Sequence, residues 1–152
     1  MIDINILNLL NAPTREERLN NLAEVLKTAQ FPPMVPQYIN NHIHTTYSFS
    51  PYSPTAAVYA ARMEGLCTAG IIDHDSISGA EEFLEAAKGR EVEPVPGVEF
   101  STDYQGTELH ILGLFIEQEH YAAINALLED ALQRKEQSNI ALVERLKEQG
   151  LS

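Results

Sequence analysis

His42 and His44 alternate with Ile43 just after an apolar stretch, and Asp73-His74-Asp75, Glu99 and His110 follow at intervals, each at the edge of a strand-like run. This spacing constrains the fold more than any other feature of the chain. Side chains two apart on a strand share a face, so both histidines point one way while Ile43 turns into the core. Donors this far apart in sequence meet only where several strand ends converge. Imidazole and carboxylate groups gathered in that way are what Zn, Mn or Fe sites use, and a divalent ion held by them activates water for hydrolysis.

The surrounding pattern supplies such strands. Thr14 followed by Glu17 matches a capping box, and Leu19, Leu22, Ala23 and Leu26 recur at helical spacing, which predicts a helix from about Thr14 to Gln30. Ahead of it, Ile2, Ile4 and Ile6 alternate, either as a short strand or as a terminus packed on the body. Pro32, Pro33 and Pro36 end the helix and read as a linker. From residue 37 onward short apolar runs alternate with helical patterns, the mark of a sheet covered by helices.

Strands are expected over Tyr38 to His44, Cys67 to Asp73 and Val92 to Ser101, the last interrupted by Pro94 and Pro96. The helix between the first two begins at Ser53-Pro54, an N-cap followed by proline at the first helical position, and stops at Gly65. The helix after the second is expected to be capped by Ser76 or Ser78 and to end at Gly89. Leu109 to Ile116 follows the third strand after only Asp103-Tyr104-Gln105-Gly106, too short for a parallel crossover, so these two strands should pair antiparallel. A long helical pattern then runs from Glu117 to a stop at Gly150.

Composition narrows the function classes. The 152 residues suffice for one domain with a real core, and 44% apolar with 21% charged residues is ordinary for a globular protein. A formal charge of −12 disfavours passive binding to nucleic acid, because nonspecific affinity for phosphates comes from clustered Lys and Arg. A lone Cys67 provides no disulfide framework, and without a leader or a long apolar run the expected address is cytoplasmic.

Each candidate has a plainer role beside the chemical one. Asp73 and Asp75 either orient His74 through its second nitrogen or cap the following helix, the latter more readily for Asp75. Glu99, flanked by Val98 and Phe100, either compensates a cation or faces solvent from an edge strand. His120 opens a solvated helix and reads as surface, and Cys67 as a small core residue.

Four blocks together resemble the PHP domain, a metal-dependent phosphoesterase family named for polymerases and histidinol phosphatase. They are His42-Ile-His44-Thr45-Thr46-Tyr47-Ser48, Ile72-Asp73-His74-Asp75-Ser76-Ile77-Ser78-Gly79, Pro96-Gly97-Val98-Glu99-Phe100-Ser101 and Leu109-His110-Ile111-Leu112-Gly113-Leu114. The resemblance implies an α/β fold, a distorted (β/α)7 TIM-like barrel. A barrel of this kind needs roughly 250 residues, so the chain is expected to hold its first half, residues 37–152, behind an N-terminal helical extension and Pro-rich linker at 1–36.

By the same resemblance His42, His44, His74, Glu99 and His110 are metal ligands, Glu99 is suited to bridge, and the complete site holds two or three divalent ions, Mn, Zn or Fe. Asp73 and Asp75 would then act from behind the ligands. Two departures accompany the likeness. Phe49-Ser50-Pro51 stands where related sequences often place an Asp or His, and the family's later histidine and Asp-x-His blocks have no counterpart before Ser152.

The expected activity is therefore phosphoester hydrolysis on a phosphorylated small molecule or nucleotide, with a fragment of a longer enzyme or self-association to complete the barrel. A catalytically silent PHP-like metal-binding module is the alternative. A third possibility is an interaction protein whose acidic C-terminal helix docks on a partner.

Overall fold

The computed structural model describes residues 2–150, the side chains of residues 134, 135 and 138 left aside. They divide into two compact units, one running to residue 117 and the other starting at residue 118. In the first, helices α1 (Ile4–Leu10), α2 (Arg15–Val25), α3 (Pro54–Met63) and α4 (Ala80–Ala87) accompany strands β1 (Val35–Ile43), β2 (Leu66–His74), β3 (Glu93–Tyr104) and β4 (Thr107–Leu114). The strands form one four-stranded sheet in the order β1-β2-β3-β4. The first three are parallel and β4 returns antiparallel, as the short Tyr104–Thr107 connection requires. This is the expected half-barrel: an α/β sheet, curled and not closed on itself.

The β-α-β connections place α3 and α4 on one face of the sheet, where Val58, Ile71, Phe83, Val95 and Val98 are among the buried residues. The expected boundaries hold at Ser53, whose Oγ accepts from Ala56 N, and at Gly65 and Gly89, both with positive φ just past their helices. Pro94 and Pro96 do not interrupt β3. Their missing N–H groups fall on the side that faces β4, whose pairing begins only at Gly97↔Leu114, so no ladder bond is lost. The hairpin turns on Gln105 and Gly106, with φ of 54° and 79°, the left-handed pair a two-residue turn demands.

Four local expectations are corrected. Residues 4–10 are helical, not a strand: the Asp3 carboxylate accepts from Asn5 N at 2.7 Å and caps the turn, and Leu10 is fully buried. The second helix stops at Val25, because the chain tightens into turns with Lys27 N donating to Glu24 O and Thr28 N to Val25 O before Pro32 and Pro33 bar further helix. Pro36 lies inside β1, tolerated there because β1 pairs on one side only.

The cap of α4 is also not what the serines suggest. Gly79 occupies that position with no side-chain hydrogen bond, while the Ser76 hydroxyl accepts from Ser78 N in the preceding turn.

The second unit is a short 3-10 turn, Gln118–His120, followed by α5 (Tyr121–Glu148). It ends at Gly150, φ 79°, as expected. Among the described residues no helix is long and apolar enough to cross a membrane.

The Thr14–Glu17 capping box is formed in full, and it starts a helix whose Arg18 does further work. Arg18 forks onto Glu82 of α4 at 2.6 and 2.8 Å, and Glu82, 2% exposed, also accepts from Thr55 N and Oγ1 of α3. One buried carboxylate thus joins three helices. Arg18→Ala leaves that carboxylate without its counter-charge and is expected to cost about 3–5 kcal/mol in urea unfolding, as for other broken buried pairs. An unchanged urea midpoint would show that the pair contributes nothing net.

Candidate metal centre

Register brings three of the ligand candidates onto one face. His74 pairs with Glu99 across β2–β3, and Ser101 pairs with His110 across β3–β4, so His110 sits diagonally from Glu99 on its side of the sheet. His42 at the end of β1, and His44 just past it, reach the same point from the other flank. Gly97, two residues before Glu99 on the same face, has no room for a Cβ: one would collide with the Gly113 carbonyl and stand 2.6 Å from Ile72 Cδ1. Any larger residue there would push β3 and β4 apart beside Glu99.

Glu99 is the centre of the cluster. It is 5% exposed, and its Oε2 lies 3.0 Å from His42 Nε2, 3.6 Å from His44 Nε2 and 3.5 Å from His74 Nε2. Its Oε1 lies 2.8 Å from His110 Nδ1. The rings of His44 and His74 are nearly parallel, 6° apart with centroids at 4.8 Å. The structure therefore gathers all five residues, His42, His44, His74, Glu99 and His110. They form two donor sets, His42-His44-Glu99 and His74-Glu99-His110, each with its ligand atoms within 4.8 Å of one another and with Glu99 common to both.

Hydrogen bonding alone accounts for only part of this arrangement. His42 and His110 are close enough to donate to the carboxylate, whereas the Nε2 atoms of His44 and His74 converge on Oε2 from beyond that distance. Four imidazoles and one shared carboxylate fit divalent cations of the Zn, Mn or Fe kind, and a two-oxygen group between two donor sets fits a bridging role.

The electrostatics agree. Burial pushes the His44 imidazole below its usual pKa, and the neighbouring His74 and His42 push it further, which favours the neutral form that ligates metal. For Glu99, burial acts to raise the pKa, but the hydrogen bond from His42 and the charges of His74 and His42 outweigh it, leaving it below the carboxylate norm.

The two aspartates do not touch His74 in the manner the sequence suggests. Asp73 is 1% exposed and accepts from Thr45 N, Thr45 Oγ1 and Ser48 Oγ, each at 2.6 Å. Asp75, at φ 49°, donates its N–H to Glu99 O at 2.9 Å and accepts from Ser101 N at 2.8 Å. It fastens the end of β2 to β3 at Glu99 and Ser101 and caps no helix. Asp tolerates the left-handed conformation better than most residues, which suits it to that corner.

Sequence reasoning gave Thr45 and Ser48 no role, although short hydroxyl residues one and four positions after a candidate ligand are the signal that would have found them. Phe49 stands beside the centre, 83% exposed, its ring edge-on to His74 at 5.2 Å.

The family model of the PHP domain matches residues 40–151. The chain belongs to the PHP domain family. Among its relatives, a 5'-3' exoribonuclease of Haemophilus influenzae is 34% identical over 110 residues, covering 72% of this chain and 40% of that protein. The 5'-3' exoribonuclease Rnm of Escherichia coli is 33% identical over 108 residues, 69% of this chain and 36% of its own length. The PHP chain thus spans about two-fifths of these curated relatives. Of solved structures, one from Bifidobacterium adolescentis assigned as a metal-dependent phosphoesterase superposes with a TM-score of 0.59 at 25% identity, covering 78% of this chain and 40% of that one. An amidohydrolase from Chromobacterium violaceum, solved with sulfate and no metal, gives 0.57 at 28% identity, covering 70% and 39%.

The His44 and Glu99 shifts imply the same acid response. His44 and Glu99 have folded pKa values below their unfolded ones, so the folded state holds fewer protons, and stability is full above each unfolded value and lost as pH falls through the folded one. The urea midpoint of metal-free protein should drop first below the usual imidazole range of about 6.5 and again below about 4.3, and His44→Gln should remove the first drop. A midpoint that is flat or rises on acidification would contradict these shifts.

Proposed function

We propose that this PHP chain carries the first five ligands of a divalent-metal phosphoesterase centre and that the complete enzyme cleaves a phosphoester with metal-activated water. The observation that carries the proposal is Glu99, buried and approached by four imidazoles from the ends of β1 and β2 and from the middle of β4. In this role His42, His44 and Glu99 would hold one ion and His74, Glu99 and His110 a second, and the complete domain would hold two or three. The bound ions supply charge for the phosphate and lower the pKa of a water. The protein's own part is to hold the ligand rings and to keep Glu99 out of solvent, with Asp73 and Asp75 acting behind the ligands.

For the substrate we favour the end of a nucleotide or short oligonucleotide over a long nucleic acid. The net charge of −12 offers no basic track along a polyanion, while the exoribonuclease relatives support a nucleotide phosphoester. Residues 1–36 are proposed as an extension, since the family match begins at residue 40. Phe49 gives specific support to a second reading, a PHP-like module that binds metal without turnover, because an exposed aromatic occupies the flank of His74 where a further carboxylate would add a ligand.

Calorimetric titration of the 152-residue chain with Mn or Zn is expected to show at least one site. At a hundredfold excess over Kd the metal should add roughly 2.7 kcal/mol of stability, and Glu99→Gln should abolish it. Release of nucleotide from a 5'-phosphorylated oligoribonucleotide, or of p-nitrophenol from its phosphate ester, is expected of the complete enzyme and should vanish in its His44→Ala variant. Metal binding without turnover in the complete enzyme selects the silent module. No binding and no stabilisation overturns both readings.

A further inference from the structure

We propose that Ser48 and Asp73 act as a positioning pair that holds His44 in its Nδ1–H tautomer and thereby aims the Nε2 lone pair at the Glu99 centre. The inference rests on the reading of His44 as a metal ligand, but its structural core does not.

The Asp73 carboxylate is buried and only accepts, so each of its partners must donate: Thr45 N, Thr45 Oγ1 and Ser48 Oγ. Ser48 has a single hydroxyl proton, and the bond to Asp73 Oδ1 at 2.6 Å uses it. What Ser48 Oγ has left is lone pairs. They face His44 Nδ1 at 3.3 Å, so a bond there requires the ring to be the donor. A neutral imidazole with its proton on Nδ1 carries its lone pair on Nε2, and Nε2 is the atom turned toward Glu99 Oε2.

Local backbone makes the placement reproducible. Ser48 N donates to Thr45 O at 3.0 Å and Ser50 N to the same carbonyl at 3.2 Å, a tight turn that returns the Ser48 hydroxyl to the strand end. Thr46 N donates to Tyr52 O at 2.8 Å and closes the loop. Because Thr45 adjoins His44 and Asp73 adjoins His74, the same carboxylate also ties together the two backbone positions whose rings lie stacked. A second donor or acceptor that fixes the tautomer of a ligating histidine commonly contributes 10–100-fold in metal affinity.

The test uses the full chain labelled with 15N-histidine, metal-free, at a pH of about 8 where imidazoles are neutral. Long-range 15N–1H correlation, with His44 assigned from the spectrum of His44→Gln, is expected to show a pyrrole-like Nδ1 and a pyridine-like Nε2. Ser48→Ala should move the ring toward the other tautomer or a mixture, and Ser48→Thr, which keeps the hydroxyl, should restore it. Zinc affinity by competition with a chelating dye should fall about 10–100-fold in Ser48→Ala and recover in Ser48→Thr.

An Nε2–H tautomer in the wild type overturns the proposal without any variant. So does an unchanged tautomer and affinity in Ser48→Ala. If the wild type binds no zinc, the metal-centre reading fails, while the tautomer still decides the role of Ser48.

Discussion

A carboxylate removed from water has to be compensated, and the way Glu99 is compensated governs this half-barrel. Its two oxygens are shared by four imidazoles that arrive from the ends of β1 and β2 and from the middle of β4. An uncompensated burial of this kind would cost several kcal/mol or force the group to protonate. Here the surrounding rings instead hold it in its charged form. Everything that fixes the order and register of the strands is therefore also a determinant of the charge at the centre.

Those determinants are specific side chains, not general packing. Asp75 takes a left-handed turn at the end of β2 in order to grip β3 at Glu99 O and Ser101 N. Gly97 lets β4 approach closely enough for His110 to reach Oε1. Asn11 extends the support outward: its side chain donates to Pro51 O and accepts from Ser53 N, so the end of α1 holds the loop that follows His44. The Arg18–Glu82 fork then secures the helical layer behind the sheet.

Much of this was legible in the sequence, and the reason is periodicity. Alternation at 42–44 gave a shared face, the length of the 103–106 connection gave an antiparallel β4, and Ser53-Pro54 and Gly65 bounded α3, since each feature acts through neighbours in the chain. The candidate ligand set came from four blocks in a fixed order, matched to a family. What stayed hidden depends on contacts distant in sequence. Asp73 reads as a partner of His74 because the two are adjacent, yet residues adjacent on a strand point to opposite faces, and its carboxylate meets Thr45 and Ser48 instead. Ile2, Ile4 and Ile6 alternate like a strand, but one capping carboxylate at Asp3 turns the segment into a helix. Neither outcome follows from spacing alone.

The central claim is that the five side chains enclose a common inorganic centre. Anomalous diffraction at the metal edge, from crystals of the chain grown with Mn or Zn, addresses it most directly. The account predicts peaks bounded by His42, His44 and Glu99 and by His74, Glu99 and His110, with the Glu99 carboxylate between them. Metal found only at surface carboxylates, with the four rings unliganded, would contradict it.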